Sequence, residues 1–511
     1  MDASWHPKPG DKFVRRPRAK AHPLKRVLGV FGLFSAGYGN VGSSIYYALG
    51  LVALIAMGAT PVVLLIAGVF FIFTALSYAE GTAMIPEAGG SASFARRGFN
   101  DLLASTAGWA LAFSYIVTIA ISAYAVPSYL GYFWAPLKES AAVGTLAAMG
   151  IVFFLMLLNV VGVKESSILN SAFAVLDVVT QILIIVLAVL FVFDSQVLFQ
   201  RIEAYWPSWS ELVFGVAVAT IAYTGVETIS QLSEETKRPT VNAPRALILM
   251  MIVVLILFSG IAVAGFSAMT PPEMASEWAR DPIAGIAHSF SAIIVPEEVA
   301  AGLSADPDVV VVIAALLSGT LKFVPVLVAI LAATILIIAT NAGLMGISRL
   351  TFSLGRFQLL PLALSRVHPR FKTPYRSVIL YALVAILLLV PGFFASDVFV
   401  KLGGLYAFGS LLAFALAHAS IIRLRVKCPE MPRPFKVRGN IWLRGHELPI
   451  TAVLGVIVTA VIWVIVVIVQ PYARWVGFGW MAFGLTVYIV FRRRKNLPLV
   501  KVAPEVKVPI D

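Results

Sequence analysis

Gly37-Tyr38-Gly39-Asn40-Val41-Gly42-Ser43-Ser44-Ile45-Tyr46-Tyr47 lies in the middle of residues 27–79, a run without one charged side chain. A helix needs about 20 apolar residues to cross a bilayer, so the run holds two crossings, divided at Gly58-Ala59-Thr60-Pro61. Three glycines and two serines are poor helix formers at the centre of the first crossing. Two readings are open: close helix packing by small residues, or an unwound helix. Unwound backbone at membrane depth is tolerated only where it lines a cavity.

The rest of the chain continues the pattern. Of 511 residues, 59% are hydrophobic and 13% charged, with mean hydropathy +0.91. A soluble domain carries roughly 25% charged residues. The composition excludes a soluble enzyme, a disordered chain and a disulfide scaffold. Apolar runs at 28–57, 61–83, 102–134, 141–163, 166–193, 211–232, 246–270, 323–348, 377–395, 400–422, 449–470 and 474–491 predict twelve spans in an all-α polytopic membrane protein. A shorter apolar stretch, 309–321, is read as part of a long external connection. With the N-terminus cytoplasmic, 33 Lys and Arg fall inside and 6 outside, a strong positive-inside bias. Most of the +13 net charge is then orientation, and no nucleic acid partner is expected. The basic N-terminal segment has no apolar core of the kind a signal peptide carries.

A second interruption is expected in span 6, at Ala222-Tyr223-Thr224-Gly225-Val226-Glu227. Spans 1 and 6 open two five-helix halves. Matching breaks in two halves point to a transporter site. The freed N–H groups at a half-helix start suit an anion, and freed carbonyls suit an ammonium; an amino acid carries both charges.

Five stretches resemble the amino acid–polyamine–organocation superfamily of secondary transporters, in its bacterial amino acid permease form. They are Gly42-Ser43-Ser44-Ile45, Pro86-Glu87-Ala88-Gly89-Gly90-Ser91, Tyr223 to Glu227 with Glu234 to Pro239 and Pro244-Arg245, Arg349 through Gly355-Arg356-Phe357-Gln358-Leu359-Leu360-Pro361 to His368-Pro369-Arg370-Phe371, and Arg433-Pro434-Phe435-Lys436-Val437. The resemblance implies a 5+5 inverted repeat with discontinuous helices 1 and 6, two C-terminal helices outside it, and alternating access. The expected organisation is a cytoplasmic tail (1–27), first repeat (28–193), second repeat (211–422) with an external connection (271–322), cytoplasmic loop (423–448), spans 11–12 (449–491) and cytoplasmic tail (492–511). By family analogy Val41, Gly42, Ser43, Ser44 and Ile45 would meet the substrate carboxylate. Ala222, Tyr223 and Gly225 would meet its amine, with Tyr223 as an aromatic gate. Ser44 departs from the family's second glycine. Many members carry a span 5 lysine in their cation site where this chain has Asp177.

Asp177 lies 11 residues past Ser166, about 16 Å into the span. A carboxylate at that depth is expensive and usually functional. It is read as a proton carrier, with hydrogen bonding to Gln181 or a cation-ligand role as alternatives. Glu227 is a candidate for gating or protonation. Glu80 is expected near the cytoplasmic surface, snorkelling or touching a loop. Tyr115 and Tyr406 either line the cavity or pack. Ile338-Ala339 replaces the adjacent hydroxyls of sodium-coupled relatives. No metal or cofactor is expected, and Cys428 reads as a plain free thiol. The predicted function is therefore a multi-pass cell-membrane permease for an amino acid or amine, with the proton as coupling ion. A second reading is a potassium transporter of the same superfamily. That branch has a carboxylate where this chain has Asn40. An enzyme finds no catalytic constellation, and a transporter-like sensor would lack a signalling domain.

Overall fold

Charge-free runs this long can satisfy their backbone polar groups in lipid only as helices, and helices form nearly everything that is seen. A computed structural model of the chain describes residues 26–162, 167–291, 307–371, 373–395, 397–443 and 445–506. Residues 1–25, Lys164, Lys372, Arg444 and Lys507, counted in the charge bias above, lie outside them, as does 292–306 of the external connection.

Among the described residues, eleven helical stretches are long and apolar enough to cross a membrane. The first, Val30–Met84, has 55 residues and would rise about 80 Å if straight. It divides at Met57, whose φ of +44° ends one helix before the next begins at Thr60. Counted as two, the spans are 30–56, Thr60–Met84, Asp101–Leu130, Ala141–Val161, Ser167–Phe191, Trp209–Gln231, Pro239–Ala268, Pro307–Arg356, Tyr375–Phe393, Val398–Lys427, Ile450–Val469 and Pro471–Arg494. They are called spans 1 to 12 below.

Three features differ from the expected map. Residues 309–321 are not part of the connection but the first part of span 8, a single 50-residue helix. The connection before it holds short helices Pro271–Ser276 and Pro282–Ser291. The loop after span 10 holds an antiparallel hairpin, Asn440–Leu443 with His446–Pro449.

Span 3 is the axis of the bundle and its apolar window is wholly buried. It packs on spans 8, 10 and 4, while span 2 packs on span 7. Spans 11 and 12 are mostly open to the surroundings, but span 12 is fastened to span 3 by a reciprocal clasp. Trp109 and Trp480 stack with centroids 5.0 Å apart, and each indole N–H donates to the other's carbonyl, at 2.7 and 3.1 Å. At one rim, Lys138 between spans 3 and 4 meets Asp281 at 2.8 Å.

Buried carboxylates at the opposite rim are all paired. Glu80 is wholly buried and holds Arg425 through both oxygens, at 2.7 and 2.6 Å, while accepting from the Val437 N–H at 3.0 Å. The loop contact expected for Glu80 is present, and snorkelling is not. Asp101 holds Arg96 and Arg492 at 3.1 and 2.8 Å. Glu87 holds Arg97 at 2.6 Å. Burial works to raise the Glu87 carboxyl, but Arg97, Arg356 and Arg96 hold it below the usual range.

Candidate functional site

The two interruptions meet. In span 1 the helix Val30–Val41 tightens into one 3-10 turn, Gly42–Ser44, and resumes at Ile45. The interruption expected there is present, but its backbone stays in the right-handed helical region, with Gly42 at φ −61°, ψ −32°. Local bonding explains why it does not unwind further. The Ser43 and Ser44 hydroxyls donate back to the Asn40 carbonyl at 3.0 and 3.4 Å. The Gly42 N–H is engaged by the Tyr38 carbonyl. The Tyr38 ring lies against Gly42, where an added Cβ would fall 2.5 Å from the ring.

Span 6 breaks fully. A 3-10 turn at Thr220–Tyr223 leads into extended Thr224, at φ −84°, ψ 153°, and the helix restarts at Glu227. Gly225 between them has φ +116°, a conformation that favours glycine. An added Cβ there would sit 2.9 Å from both Asn40 Nδ2 and Val41 Cγ2. Across the same junction Asn40 Nδ2 donates to Thr228 Oγ1 at 2.9 Å. The Glu227 carboxylate folds back to accept the Gly225 N–H at 3.1 Å.

Asp177 sits beside this junction and is 2% exposed. Its Oδ1 accepts from Tyr46 at 2.6 Å, and its Oδ2 from Tyr38 and Gln181, both at 2.8 Å. The expected Gln181 bond is present. Sequence spacing does not mark the two tyrosines as its partners, although both belong to the small-residue stretch 37–47 of span 1. They flank the 3-10 turn, so one span 5 carboxylate bridges both halves of span 1. Tyr129 of span 3 adds a bond to the Tyr46 carbonyl at 2.6 Å.

The remaining candidates divide. Tyr115 and Tyr406 are wholly buried, and neither hydroxyl has a hydrogen-bond partner among the described residues. Tyr115 lies against Gly346 of span 8. Tyr406 is near Thr118, Thr224 and Tyr47. The Tyr223 ring is turned to spans 2 and 7, between Phe71 and Phe258, with its hydroxyl on the Leu64 carbonyl at 2.9 Å. That placement leaves Tyr223 its backbone, not its ring, for the junction. Thr340 of span 8 spends its hydroxyl on the Leu336 carbonyl at 2.9 Å.

A narrow cleft runs from Thr228 and Gln231 toward the rim between Ala36, Met345 and Gly346. It ends at Arg349, which Glu235 holds at 2.7 Å. Val27 and Leu28, before span 1, donate their N–H groups to the Glu235 carbonyl at 2.9 and 3.1 Å. The rim ends of spans 1 and 6 are therefore bound to each other.

Electrostatics separates this site from the rest of the molecule. Among the described residues six carboxylates are buried: Glu80, Glu87, Asp101, Asp177, Glu227 and Asp281. Four hold an arginine or lysine. Among the described residues no ion pair forms at Asp177 or Glu227, and no three His, Cys, Asp or Glu gather as metal ligands.

Comparison with known proteins agrees with this architecture. The family model described as "Amino acid permease" matches residues 28–491. The chain is 28% identical to the branched-chain amino acid permease BcaP of Bacillus subtilis, over 93% of this chain and 94% of that one. It is 27% identical to the methylthioribose transporter of the same organism, over 97% and 99%. The low-affinity putrescine importer PlaP of Escherichia coli is 24% identical, over 86% and 88%.

Proposed function

Because the chain belongs to the amino acid permease family of the amino acid–polyamine–organocation superfamily, we propose that it carries an amino acid or a related amine across the membrane by alternating access, driven by protons. Family members are transporters rather than enzymes, so what needs explaining is binding and coupling. The observation that carries the coupling is the pair of buried carboxylates without a basic partner.

An uncompensated carboxylate at membrane depth costs several kcal/mol. A proton or a substrate ammonium removes that cost. Asp177 is the proton carrier in this reading. As a carboxylate it accepts from Tyr38, Tyr46 and Gln181. As a neutral acid it carries a donor of its own, so a tyrosine hydroxyl at the protonated oxygen must turn its own proton away to accept it. Proton binding thereby loosens the tie across the turn in span 1. The substrate sits at the junction, with Val41 to Ile45 toward its carboxylate and Ala222, Tyr223 and Gly225 toward its amine. The hydroxyls of Tyr115 and Tyr406 line the same space, and Glu227 acts in gating. The basic rim faces the cytoplasm, as do both termini.

Uptake by purified protein in liposomes tests this. Labelled amino acids, polyamines and rubidium are offered with and without an inward proton gradient. Wild type is expected to accumulate an amino acid or amine only with the gradient. Asp177→Asn is expected to keep exchange and lose the response to the gradient. Rubidium flux without organic flux would establish the potassium reading instead.

A further inference from the structure

After span 12 the chain stays on the bundle as far as Val506. Arg492, wholly buried, turns residues 495–506 back by binding the Pro498 and Lys501 carbonyls at 2.6 and 3.0 Å. The returning segment crosses the rim in extended form. The Ala503 N–H reaches Asp101 at 2.7 Å and its carbonyl takes Arg96 at 2.6 Å. The Pro504 carbonyl accepts from Gln358 at 2.6 Å, and the Val506 N–H donates to the Arg356 carbonyl at 3.0 Å. The segment thus ties the loop after span 2 to the loop after span 8, where Phe357 lies between the Arg96 and Arg356 guanidinium groups at 4.5 and 5.1 Å.

Its carboxylate ends in a place with one open claim. Glu505 Oε1 pairs with Arg96 at 3.0 Å and lies 3.8 Å from Arg97. Glu505 Oε2 lies 3.8 Å from Arg356 Nε. That nitrogen is buried and has no hydrogen bond among the described residues. The other arm of Arg356 is bonded to Glu234, just past span 6, at 3.0 Å. One arginine on span 8 therefore stands between a carboxylate on the broken helix and a carboxylate on the tail.

In the alternating-access reading, opening this rim would move the end of span 6 away from span 8 and take Glu234 off Arg356. The arginine side chain is only 17% exposed, and an unpaired guanidinium there is costly. We propose that Glu505 receives Arg356 when Glu234 leaves, so that the C-terminal segment lowers the barrier to opening the rim. Closing the remaining gap needs a movement of less than about 1 Å to reach hydrogen-bond distance. The tail stays docked throughout, since its own anchors at Ala503, Pro504 and Val506 do not involve Glu234.

The inference rests on the alternating-access reading, and its test needs no substrate. Hydrogen exchange is followed by mass spectrometry on the full chain in lipid nanodiscs, for wild type, Glu505→Gln and Glu234→Gln. Glu505→Gln is expected to slow exchange severalfold in residues 232–238 and 349–358, because Glu234 then holds Arg356 unopposed. Glu234→Gln is expected to speed it in the same peptides. Thermal melting of each variant shows that the fold is intact. Unchanged or faster exchange at 232–238 in Glu505→Gln overturns the proposal, as does a change confined to 495–506. Once a substrate is known, Glu505→Gln should lower kcat severalfold with KM unchanged. A failed uptake screen alone leaves the exchange result standing.

Discussion

At the scale of single residues, the molecule distinguishes carboxylates that hold it together from carboxylates that are left unpaired. Glu80 and Arg425 belong to the first kind, buried and joined through two oxygens. Removing one member of such a pair strands the other, at about 3–5 kcal/mol. Arg425→Ala should therefore lower the melting temperature sharply in detergent, and an unchanged melt would contradict the assignment. Asp177 and Glu227 belong to the second kind. Both were legible in the sequence, because a charge inside an apolar run stands out. The partners of Asp177 were not. Tyr38 and Tyr46 lie more than 130 positions from it in the chain, and a tyrosine in a span reads as packing until the fold brings an acceptor to it. Gln181, one turn along the same helix, was legible because helical spacing alone brings it near.

At the scale of elements, apolar periodicity located the spans and glycine-rich stretches located the interruptions. Their depth could not be read. Span 1 and span 6 carry similar small residues, yet only span 6 places a glycine at positive φ. The serines that looked like helix breakers in span 1 instead satisfy the Asn40 carbonyl. The length of span 8 was also hidden, since Lys322 looks like a boundary and is not one. Gly225 is the position where the broken element is least tolerant. A side chain there meets both an unfavourable φ and the wall of span 1, and the backbone term alone is about 1–3 kcal/mol. Gly225→Ala is expected to abolish gradient-driven uptake while Gly150→Ala, in open space on span 4, leaves it near wild type. Equal uptake by the two would show that the junction tolerates a methyl group.

At the scale of the whole molecule, the two rims have different chemistry. One is a lattice of arginine–carboxylate pairs. At the other, Asp281 meets Lys138 in a largely buried setting. Burial pushes the Asp281 carboxyl from 3.8 up to about 6, with Lys138 and Arg280 pulling the other way. A carboxyl raised on folding adds stability at low pH and loses it as pH climbs through the folded value. The melting temperature of wild type relative to Asp281→Asn should therefore fall between about pH 4 and about pH 6. A difference that grows across that window would mean that the lysine dominates.

The unpaired carboxylates have an electrical side as well. When Asp177 and Glu227 are ionised, the centre of the bundle is negative, and no basic side chain among the described residues pairs with them. In the proposed cycle, a zwitterion arriving with protons would restore neutrality. In that cycle, membrane voltage, worth about 2.3 kcal/mol per charge per 100 mV across the full thickness, would act mainly on the vacant protein as it resets. A voltage step on substrate-free membranes should displace charge, and strong acidification on both sides should silence that current.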